Sequence, residues 1–411
     1  MTSDATELAY AAVSELLSVA EALEAILARA RPLPAERVPL GEARGRVLAD
    51  PARAAVDLPP FASSAMDGFA VRSGDTPGRL PVVFRIAAGR PAPRPLVAEE
   101  AMAIATGGVV PEGADAVIPV EYVADHGNDT IEIAEPVAPG AHIRPRGGDL
   151  AAGDVVVEAG TRLGPAQLGA LAAAGVPHVQ CSRRPRAAVV TTGTELRPPG
   201  EPLGPGQIYE ANGLILTAQL EEAGTVVSTS EAVADDEDAH RSALECGLAA
   251  DVLVTSGGVS VGPHDLVRRV EADLGVEEVF WRVAVKPGKP LAFGVRGDTL
   301  VFGLPGNPVS ALVGFELFVR PAVRALQGIA DPRPRFRAGR LAVAVRRNAA
   351  RDELVRARTR TDRDGVVVLE PLQGQESHMI ARAAGADALA LVPRGEGEIG
   401  ANAPVEYLPL E

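Results

Sequence analysis

Residues suited to binding an anion stand in short loops that interrupt apolar runs in the second half of the chain. Lys286 and Lys289 flank a Pro-Gly turn in "VAVKPGKPLAFG", and Gly257 and Gly258 end the apolar run in "DVLVTSGG". Lysine ammonium groups bind phosphates and other oxyanions as point charges. Glycines let the backbone come close to a ligand, because they lack a Cβ atom. These loops predict a binding site for an anionic ligand.

Carboxylates occur in neighbouring loops of the same segment. Glu195 stands in "TTGTELRPPG", Asp235 in "AVADDEDAH" and Asp265 in "SVGPHDLV". Carboxylates alone would repel an anion, whereas carboxylates beside lysines suit a phosphate that is held together with Mg²⁺. A simpler interpretation stays open, since Asp235 with its neighbour Asp236, and Asp265 likewise, can each cap the amino end of a helix.

The elements that must position these loops alternate between strands and helices from about 185 to 333. "RAAVVTT" and "TVVSTSEAV" are typical of strands, while "NGLILTAQLEEAG" and "HDLVRRVEADLG" have helical spacing of apolar residues. This alternation predicts a doubly wound, mainly parallel α/β sheet with helices on both faces. The loops then meet at the carboxyl edge of the sheet, where ligands bind. In "GLPGNPVSA", Pro308 suits the first turn of a helix whose amino end points at that edge.

The rest of the chain has other patterns. "SVAEALEAILARA" predicts an amphipathic helix with a capping box of Ser18 and Glu21. Short apolar runs cut by Pro and Gly predict a β-rich region, and in the tail "TDRDGVVVLE" predicts a hairpin turn at Asp364-Gly365 within a small β-barrel or sandwich. We therefore predict a helical linker domain (7–34 and 154–184), a β-rich domain (35–153), an α/β domain (185–333) and a C-terminal small β-barrel domain (334–411).

Composition excludes several classes of protein. The chain has 411 residues, more than one hydrophobic core requires, and a formal net charge of −14 that argues against binding nucleic acid or an anionic membrane. Cys181, Cys246 and the six histidines show no metal-ligand spacing, so oxygen would hold any metal ion. No run is long enough for a membrane span, and the acidic start lacks the basic region of a signal peptide. We expect a cytoplasmic protein.

Seven motifs carry a family resemblance. In chain order they are "PPFASSAMDGFAV", "TGGVVPEGADAVIPVE", "RGGDL", "GQIYEANG", "SGGVSVG", "KPGKPLAFG" and "GLPGNPVSA". The ordered set resembles the MoeA-type molybdopterin molybdenumtransferases, the family that includes the gephyrin E domain. The resemblance implies a homodimer of four-domain chains. It also implies transfer of molybdate to adenylyl-molybdopterin with release of AMP, which completes the molybdenum cofactor.

The resemblance also assigns site residues. Carried over position by position, it implies catalytic roles for five carboxylates, three of which would also be Mg²⁺ ligands: Asp67 and Asp149, together with the tentative metal ligands Glu195, Asp235 and Asp265. It implies substrate binding by Thr106, Gly257, Gly258, Ser260, Lys286, Lys289, Pro305, Pro308, Ser310, Arg356 and Ser377. In the family, the β-rich domain of one subunit faces the α/β domain of the other, so the predicted active site is composite. For Asp67 a turn carboxylate, and for Arg356 and Ser377 structural roles, are the simpler alternatives.

The chain also departs from the family pattern. Ala62, Phe69, Thr194 and Pro263-His264 stand at four places in the motifs, and three of these places commonly hold an acidic residue in the family. These departures put the ligand set of the metal in doubt. The chain has no added molybdopterin adenylyltransferase domain, so a separate protein should donate the adenylylated substrate.

Two other functions stay open. A molybdopterin-binding scaffold without turnover is one, because members of the family have been recruited for anchoring. The adenylyltransferase step itself is the other, since its domain shares the "SGG" loop. The intact motifs argue against the scaffold, and the additional domains argue against the adenylyltransferase. The sequence does not distinguish molybdate from tungstate, which are tetrahedral dianions of nearly one size.

Overall fold

The computed structural model describes residues 16–125, 127–234, 236–258 and 266–410. The chain forms two compact units. One, the β-rich unit, contains Arg37–Cys181; the other, the α/β-barrel unit, contains the segment up to Glu36 and Ser182 onward. The finer division into four domains, with the boundaries given above, stays a prediction.

The elements are numbered in chain order within the described residues. The helices are α1 (Val19–Leu27), α2 (Pro165–Ala173), α3 (Asn212–Glu222), α4 (Glu237–Gly247), α5 (Leu266–Asp273), α6 (Pro308–Gly314), α7 (Arg320–Leu326) and α8 (Ile380–Ala383), with a π-helical turn at Phe315–Val319 and 3₁₀ turns at Leu40–Glu42, Ser73–Asp75 and Val120–Tyr122. The first strands are β1 (Ala35–Pro39), β2 (Ala52–Arg53), β3 (Ser63–Ser64), β4 (Gly68–Val71), β5 (Gly78–Ile86), β6 (Ala101–Ile104), β7 (Ala116–Pro119), β8 (Val123–Asp125), β9 (Thr130–Ile133), β10 (Ile143–Arg144), β11 (Val155–Val157) and β12 (His178–Ser182).

The strands after Ser182 complete the numbering. They are β13 (Arg186–Thr192), β14 (Leu196–Arg197), β15 (Ile208–Tyr209), β16 (Val226–Val233), β17 (Val252–Ser256), β18 (Glu277–Trp281), β19 (Val285–Lys286), β20 (Ala292–Arg296), β21 (Thr299–Leu304), β22 (Arg337–Leu341), β23 (Val345–Arg346), β24 (Asp352–Thr361), β25 (Val367–Pro371), β26 (Ala388–Val392), β27 (Glu398–Ile399) and β28 (Pro404–Pro409).

The predicted doubly wound sheet is confirmed. Its order is β16-β13-β17-β21-β20-β18, and β16, β13, β17 and β21 pair in parallel, whereas β20 is antiparallel to both of its neighbours. Successive residues of β13 face opposite layers: Val189 packs in the core with α3 and α6, and Val190 packs in the core with α4 and α5. Because both faces are covered, the inner strands β17 and β21 are largely apolar, as in other parallel sheets, whereas the edge strand β16 is not.

Local sequence signals set the ends of several helices. The predicted capping box is present at α1, where the Ser18 hydroxyl accepts from the Glu21 N–H and the Glu21 carboxylate accepts from the Ser18 N–H. Pro308 occupies the first turn of α6, as predicted. There its missing N–H costs no intrahelical hydrogen bond.

The C-terminal strands close into the predicted small barrel. Five strands run in the order β24-β25-β22-β28-β26, and pairing of β24 with β26 closes the ring. The hairpin predicted at Asp364-Gly365 joins the antiparallel strands β24 and β25. The short strand β19 adds to β24 in parallel, with Lys286 opposite Glu353. This pairing attaches the lysine hairpin of the α/β sheet to the barrel.

The β-rich unit is built on a second six-stranded sheet. Its order is β7-β4-β6-β5-β9-β8, and all pairs are antiparallel apart from β5 with β6. Neighbouring residues Ala70 and Val71 of β4 belong to separate cores on the two faces of this sheet. Within the described ranges, the structure contains no helix that is both long and apolar enough to span a membrane.

Candidate functional site

The two lysines lie on a hairpin that follows β18. The Arg282 N–H donates to the Leu291 carbonyl at 2.8 Å, and the Val283 N–H donates to the Lys289 carbonyl at 3.0 Å. These bonds close the base of the hairpin, with Lys289 at the closing pair and Lys286 in the loop that follows Val283. They are the only lysines in the chain, and every other basic residue among its 40 is an arginine.

A pocket of about 450 Å³ lies beside this hairpin. We call it the lysine pocket; it is lined by residues 286–290, by Pro305, Asn307 and Ser310, by Arg351 and by residues 375–378. Lys286, Lys289 and Arg351 bring positive charge to it from two separate segments of the chain. Of the described residues, none accepts a hydrogen bond from the Arg351 guanidinium or the Lys289 ammonium, while Lys286 pairs with Glu353 at 2.9 Å. The pocket therefore suits an oxyanion.

The wall formed by residues 375–378 is fixed to the start of α6. The Asn307 amide Nδ2 donates to the Ser377 hydroxyl at 2.9 Å, and the Val309 N–H donates to the Ser377 carbonyl at 3.1 Å. Ser310 lies at the same end of α6 and is 3% exposed. The two predicted serines are thus brought together at one pocket, although they are 67 positions apart in the numbering of the chain.

Arg356 stands behind this wall rather than in the pocket. It is 2% exposed, and its guanidinium donates to the carbonyls of Gly374 at 2.8 Å, Met379 at 3.1 Å and Glu376 at 3.2 Å. Burial lowers the pKa of Arg356, against a smaller opposing effect of the Glu376 charge. The structure gives Arg356 the role of a positioning residue for the 374–379 loop. Direct substrate binding by Arg356 stays a prediction.

The carboxyl edge of the sheet is built from backbone. The Gly257 N–H donates to the Leu304 carbonyl at 3.1 Å, and the side-chain amide of Asn212 donates to the Ser256 hydroxyl and to the Gly306 carbonyl, both at 2.8 Å. A Cβ atom on Gly257 would lie 2.7 Å from the Thr192 carbonyl oxygen, at a φ of +97°. We call the turns around Gly257, Gly258 and Gly306 the glycine edge. Only glycine fits its tightest point.

Glu195 follows β13 at this same edge, as predicted. Its carboxylate folds back over Gly193, where a Cβ atom would lie 2.7 Å from both carboxylate oxygens. Its side chain is exposed. The other two carboxylates predicted for this edge, Asp235 and Asp265, lie outside the described residues, as do Ser260 and the departure at Pro263-His264.

In the β-rich unit the structure joins Asp67 to Thr106. The Asp67 carboxylate accepts from the Thr106 N–H at 2.7 Å and from the Thr106 hydroxyl at 3.1 Å. Asp149 stands elsewhere in the unit, on a loop where its N–H donates to the Leu58 carbonyl at 2.9 Å. The antiparallel strands β3 and β10 lead to Asp67 and Asp149 in opposite directions. Among the described residues of this unit, no hydrogen bond links the Asp67 and Asp149 carboxylates.

Of the 13 residues that line the pocket, eight were not predicted from the sequence, and Arg351 and Asn307 are two of these. Arg351 and Asn307 line the pocket, yet Arg351 is one arginine in a tail rich in them, and Asn307 looks like a turn residue between Gly306 and Pro308. The sequence did contain a signal for Asn307, because it directly precedes a predicted helix whose amino end points at the ligand-binding edge of the sheet. Arg351 had none, since only the β19–β24 pairing brings the start of β24 to the hairpin.

The described residues offer little for a resident cation. Across 16–125, 127–234, 236–258 and 266–410, no group of three or more His, Cys, Asp or Glu side chains is arranged to hold a metal ion. Of the three predicted Mg²⁺ ligands only Glu195 is described. One exposed carboxylate is too few for a Mg²⁺ site, which is usually completed by further oxygens from the protein, the substrate and water.

Comparisons with known proteins agree along the whole chain. Residues 17–175 match the family model of the MoeA N-terminal region (domain I and II), residues 188–325 that of a probable molybdopterin binding domain, and residues 338–410 that of the MoeA C-terminal region (domain IV). Molybdopterin molybdenumtransferase 2 of Mycobacterium tuberculosis (strain ATCC 25618 / H37Rv) is 38% identical over 388 residues, which cover 91% of this chain and 94% of the relative. Molybdopterin molybdenumtransferase of Haemophilus influenzae is 34% identical, over 92% of this chain and 94% of the relative. A crystal structure of a molybdopterin biosynthesis MoeA protein from Pyrococcus horikosii has a TM-score of 0.82 at 31% identity, covering 97% of this chain and 100% of that one.

Proposed function

The chain belongs to the molybdopterin molybdenumtransferase family, whose members insert molybdenum during biosynthesis of the molybdenum cofactor, and on this premise we propose that the lysine pocket binds the molybdate to be inserted. The observation that carries the proposal is the convergence of Lys286, Lys289 and Arg351 on one pocket that Ser310 and Ser377 also line. Cations and hydroxyl donors together match the charge and the hydrogen-bonding capacity of a tetrahedral dianion.

The glycine edge would hold the second substrate. We propose that adenylyl-molybdopterin lies along the turns at Gly257, Gly258 and Gly306, where the backbone leaves room for a phosphate chain. Pro305 and Asn307 line the lysine pocket and stand next to Gly306 in the chain. Both substrates would thus meet at one turn. There the dithiolene sulfurs of molybdopterin would displace oxygens of molybdate, which leave as water, and attack of water on the phosphoanhydride would release AMP. This arrangement favours the molybdenum insertion step over the adenylyltransferase step, which needs no molybdate.

We propose a Mg²⁺ site only on the basis of the residue types at three positions. Glu195, Asp235 and Asp265 would hold the ion, which would neutralise the charge of the phosphate groups. Since only Glu195 is described and it is exposed, no step of the reaction is assigned to the metal here. The Asp67 and Asp149 carboxylates stay catalytic candidates by family resemblance. The cytoplasmic location and a separate adenylyltransferase that donates the substrate also stay predictions.

We propose further that the active enzyme is a homodimer with composite sites. At a molybdate concentration well below the Kd of Lys289→Ala, that variant and Asp67→Ala should each show little activity alone. They should then recover activity when they are mixed and refolded, because one site in each heterodimer keeps both residues. Verified heterodimers that remain inactive would place Asp67 and Lys289 in the site of a single subunit.

Release of AMP tests the proposed function. Purified protein supplied with adenylyl-molybdopterin should release AMP only when molybdate is added, and Lys289→Ala should need more molybdate for the same rate. A scaffold would bind the substrates without AMP release. An adenylyltransferase would instead consume ATP. Release of AMP at the same rate with and without molybdate would refute the proposal.

A further inference from the structure

Glu353 is a buried carboxylate that stands directly behind the lysine pocket. It is 8% exposed and lies on β24 opposite Lys286 of β19, and its Oε1 is 2.9 Å from the Lys286 ammonium. The Lys286 side chain is 41% exposed and lines the pocket on its other side. One ammonium group therefore faces a buried negative charge and, at the same time, the site for an anion.

This pairing has a cost for anion binding. A carboxylate close to the pocket repels a dianion, and it also neutralises the nearest of the cations that would attract one. A pocket built only for tight binding would leave Lys286 without a carboxylate partner. Among the described residues, neither Lys289 nor the Arg351 guanidinium has such a partner. Tight binding of a substrate does not by itself speed its transfer, because only interactions that strengthen in the transition state do so.

We infer that Glu353 is a positioning residue that orients Lys286 and lowers the affinity of the pocket for its oxyanion, so that the anion can be passed on. The inference rests on the proposed function of the pocket. The residue type at 286 agrees with it: the chain uses arginine at every basic position except 286 and 289, and a compact ammonium can be shared between a carboxylate and an anion. A guanidinium would bind the carboxylate through a rigid two-point contact.

Removing the negative charge of Glu353 has two opposing effects on molybdate binding. Loss of the ion pair frees the Lys286 side chain, and a partly exposed pair contributes less than about a factor of five to an equilibrium. Removing a unit charge near a dianion has a larger effect at the effective dielectric constant of a protein site, about tenfold or more. Glu353→Gln should therefore tighten the binding of molybdate alone by about tenfold, measured by equilibrium dialysis with radioactive molybdate.

The steady-state kinetics should show tighter binding of molybdate together with slower transfer. In Glu353→Gln we expect both the KM for molybdate and kcat to fall, because the anion is held more firmly before transfer. Glu353→Asp keeps the charge and should keep weak binding. Asp352→Asn is the matched control: the Asp352 carboxylate accepts from the Arg394 N–H at 2.8 Å, on the opposite face of the strand, so molybdate binding should change less than twofold.

The outcomes separate this inference from the proposed function. Suppose that Lys289→Ala weakens molybdate binding while Glu353→Gln leaves it unchanged or also weakens it. The lysine pocket then binds molybdate as proposed, and the inference about Glu353 is wrong. A weaker binding in Glu353→Gln together with a lower melting temperature would show a purely structural ion pair. If Lys289→Ala itself leaves molybdate binding unchanged, the pocket does not bind molybdate and both proposals fail.

Discussion

The lysine pocket and the glycine edge meet at the turn of Pro305 and Gly306, yet they are built in different ways. Side chains from four segments of the chain form the pocket, and the buried guanidinium of Arg356 supports one of its walls. The glycine edge consists of backbone, and its tightest point leaves no space for a Cβ atom. The pocket contributes charge, and the edge contributes shape and N–H groups.

The two regions should therefore respond differently to substitution. A site made of side chains loses function through changes that leave the fold intact, because charges on loops are replaced at little cost in stability. A site made of backbone changes together with the fold around it. Variants of Arg356, Gly257 and Lys289 test this distinction, and each has a control variant.

Loss of Arg356 should have the largest effect. Arg356→Ala leaves three carbonyl groups of the 374–379 loop without their donor, which should lower the free energy of unfolding by about 3 kcal/mol and weaken molybdate binding as the wall loosens. Denaturant titration and equilibrium dialysis measure the two quantities. Arg358→Ala is the control on the same strand, since Arg358 is exposed and donates to one carbonyl, that of Gly385. Equal stability of Arg356→Ala and Arg358→Ala would show that the loop needs no such support.

Gly257→Ala should come next. The new Cβ atom would lie 2.7 Å from the Thr192 carbonyl oxygen in a left-handed backbone conformation, so the free energy of unfolding should fall by about 2 kcal/mol and binding of the nucleotide substrate should weaken with it. Gly306→Ala is the matched control, because the nearest atom would be 3.7 Å away. If Gly257→Ala is as stable as the unmutated protein, the close approach of the backbone at Gly257 does not require glycine.

Lys289→Ala should affect binding alone. We expect the molybdate Kd to rise by about tenfold or more, which corresponds to about 1.5 kcal/mol for a charge-assisted hydrogen bond. The melting temperature should stay the same, since Lys289 is exposed and its ammonium makes no hydrogen bond or ion pair with any of the described residues. Lys289→Arg keeps the charge and should bind better than Lys289→Ala. A fall in stability without a change in Kd would reverse the distinction between the two regions.

The amino edge of the sheet should show the smallest effect, and only on stability. Asp251 accepts from the Arg183 guanidinium at 2.8 and 2.9 Å and from the Arg186 N–H at 2.7 Å. Burial by itself raises the pKa of Asp251, but these hydrogen bonds outweigh it, so the pKa is lowered from its usual 3.8. A lowered pKa stabilises the fold above the unfolded pKa, and this contribution is lost as the pH falls through the folded pKa.

Asp251→Asn should therefore lower the free energy of unfolding at pH 7 by about 1 kcal/mol. The difference from the unmutated protein should shrink as the pH falls below about 4, in denaturant titrations at a series of pH values. Molybdate binding should not change. A difference that is the same at pH 3 and at pH 7 would show that the charge of Asp251 contributes nothing.

Much of the fold could be predicted because its signals are local. The capping box of Ser18 and Glu21, the proline at the first turn of α6 and the alternation of apolar strands and helices each act within a few residues. Ordered motifs added the family, and with it the positions of Lys286, Lys289, Ser310 and Ser377. The structure brings all four of these residues to one pocket.

What the sequence could not decide depends on contacts between distant segments. Arg351 directly precedes β24 and Arg356 lies on it five positions later, yet one lines the pocket and the other supports it from behind. That choice follows from how β24 sits between β19 and the rest of the barrel. The pairing of Lys286 with Glu353 has the same origin, because strand register, which depends on the packing of the whole sheet, decides which charge faces which. Local signals are enough to specify the helices, the strands and the residue types of the loops, whereas the side chains that share a site depend on packing between segments that are distant in the chain.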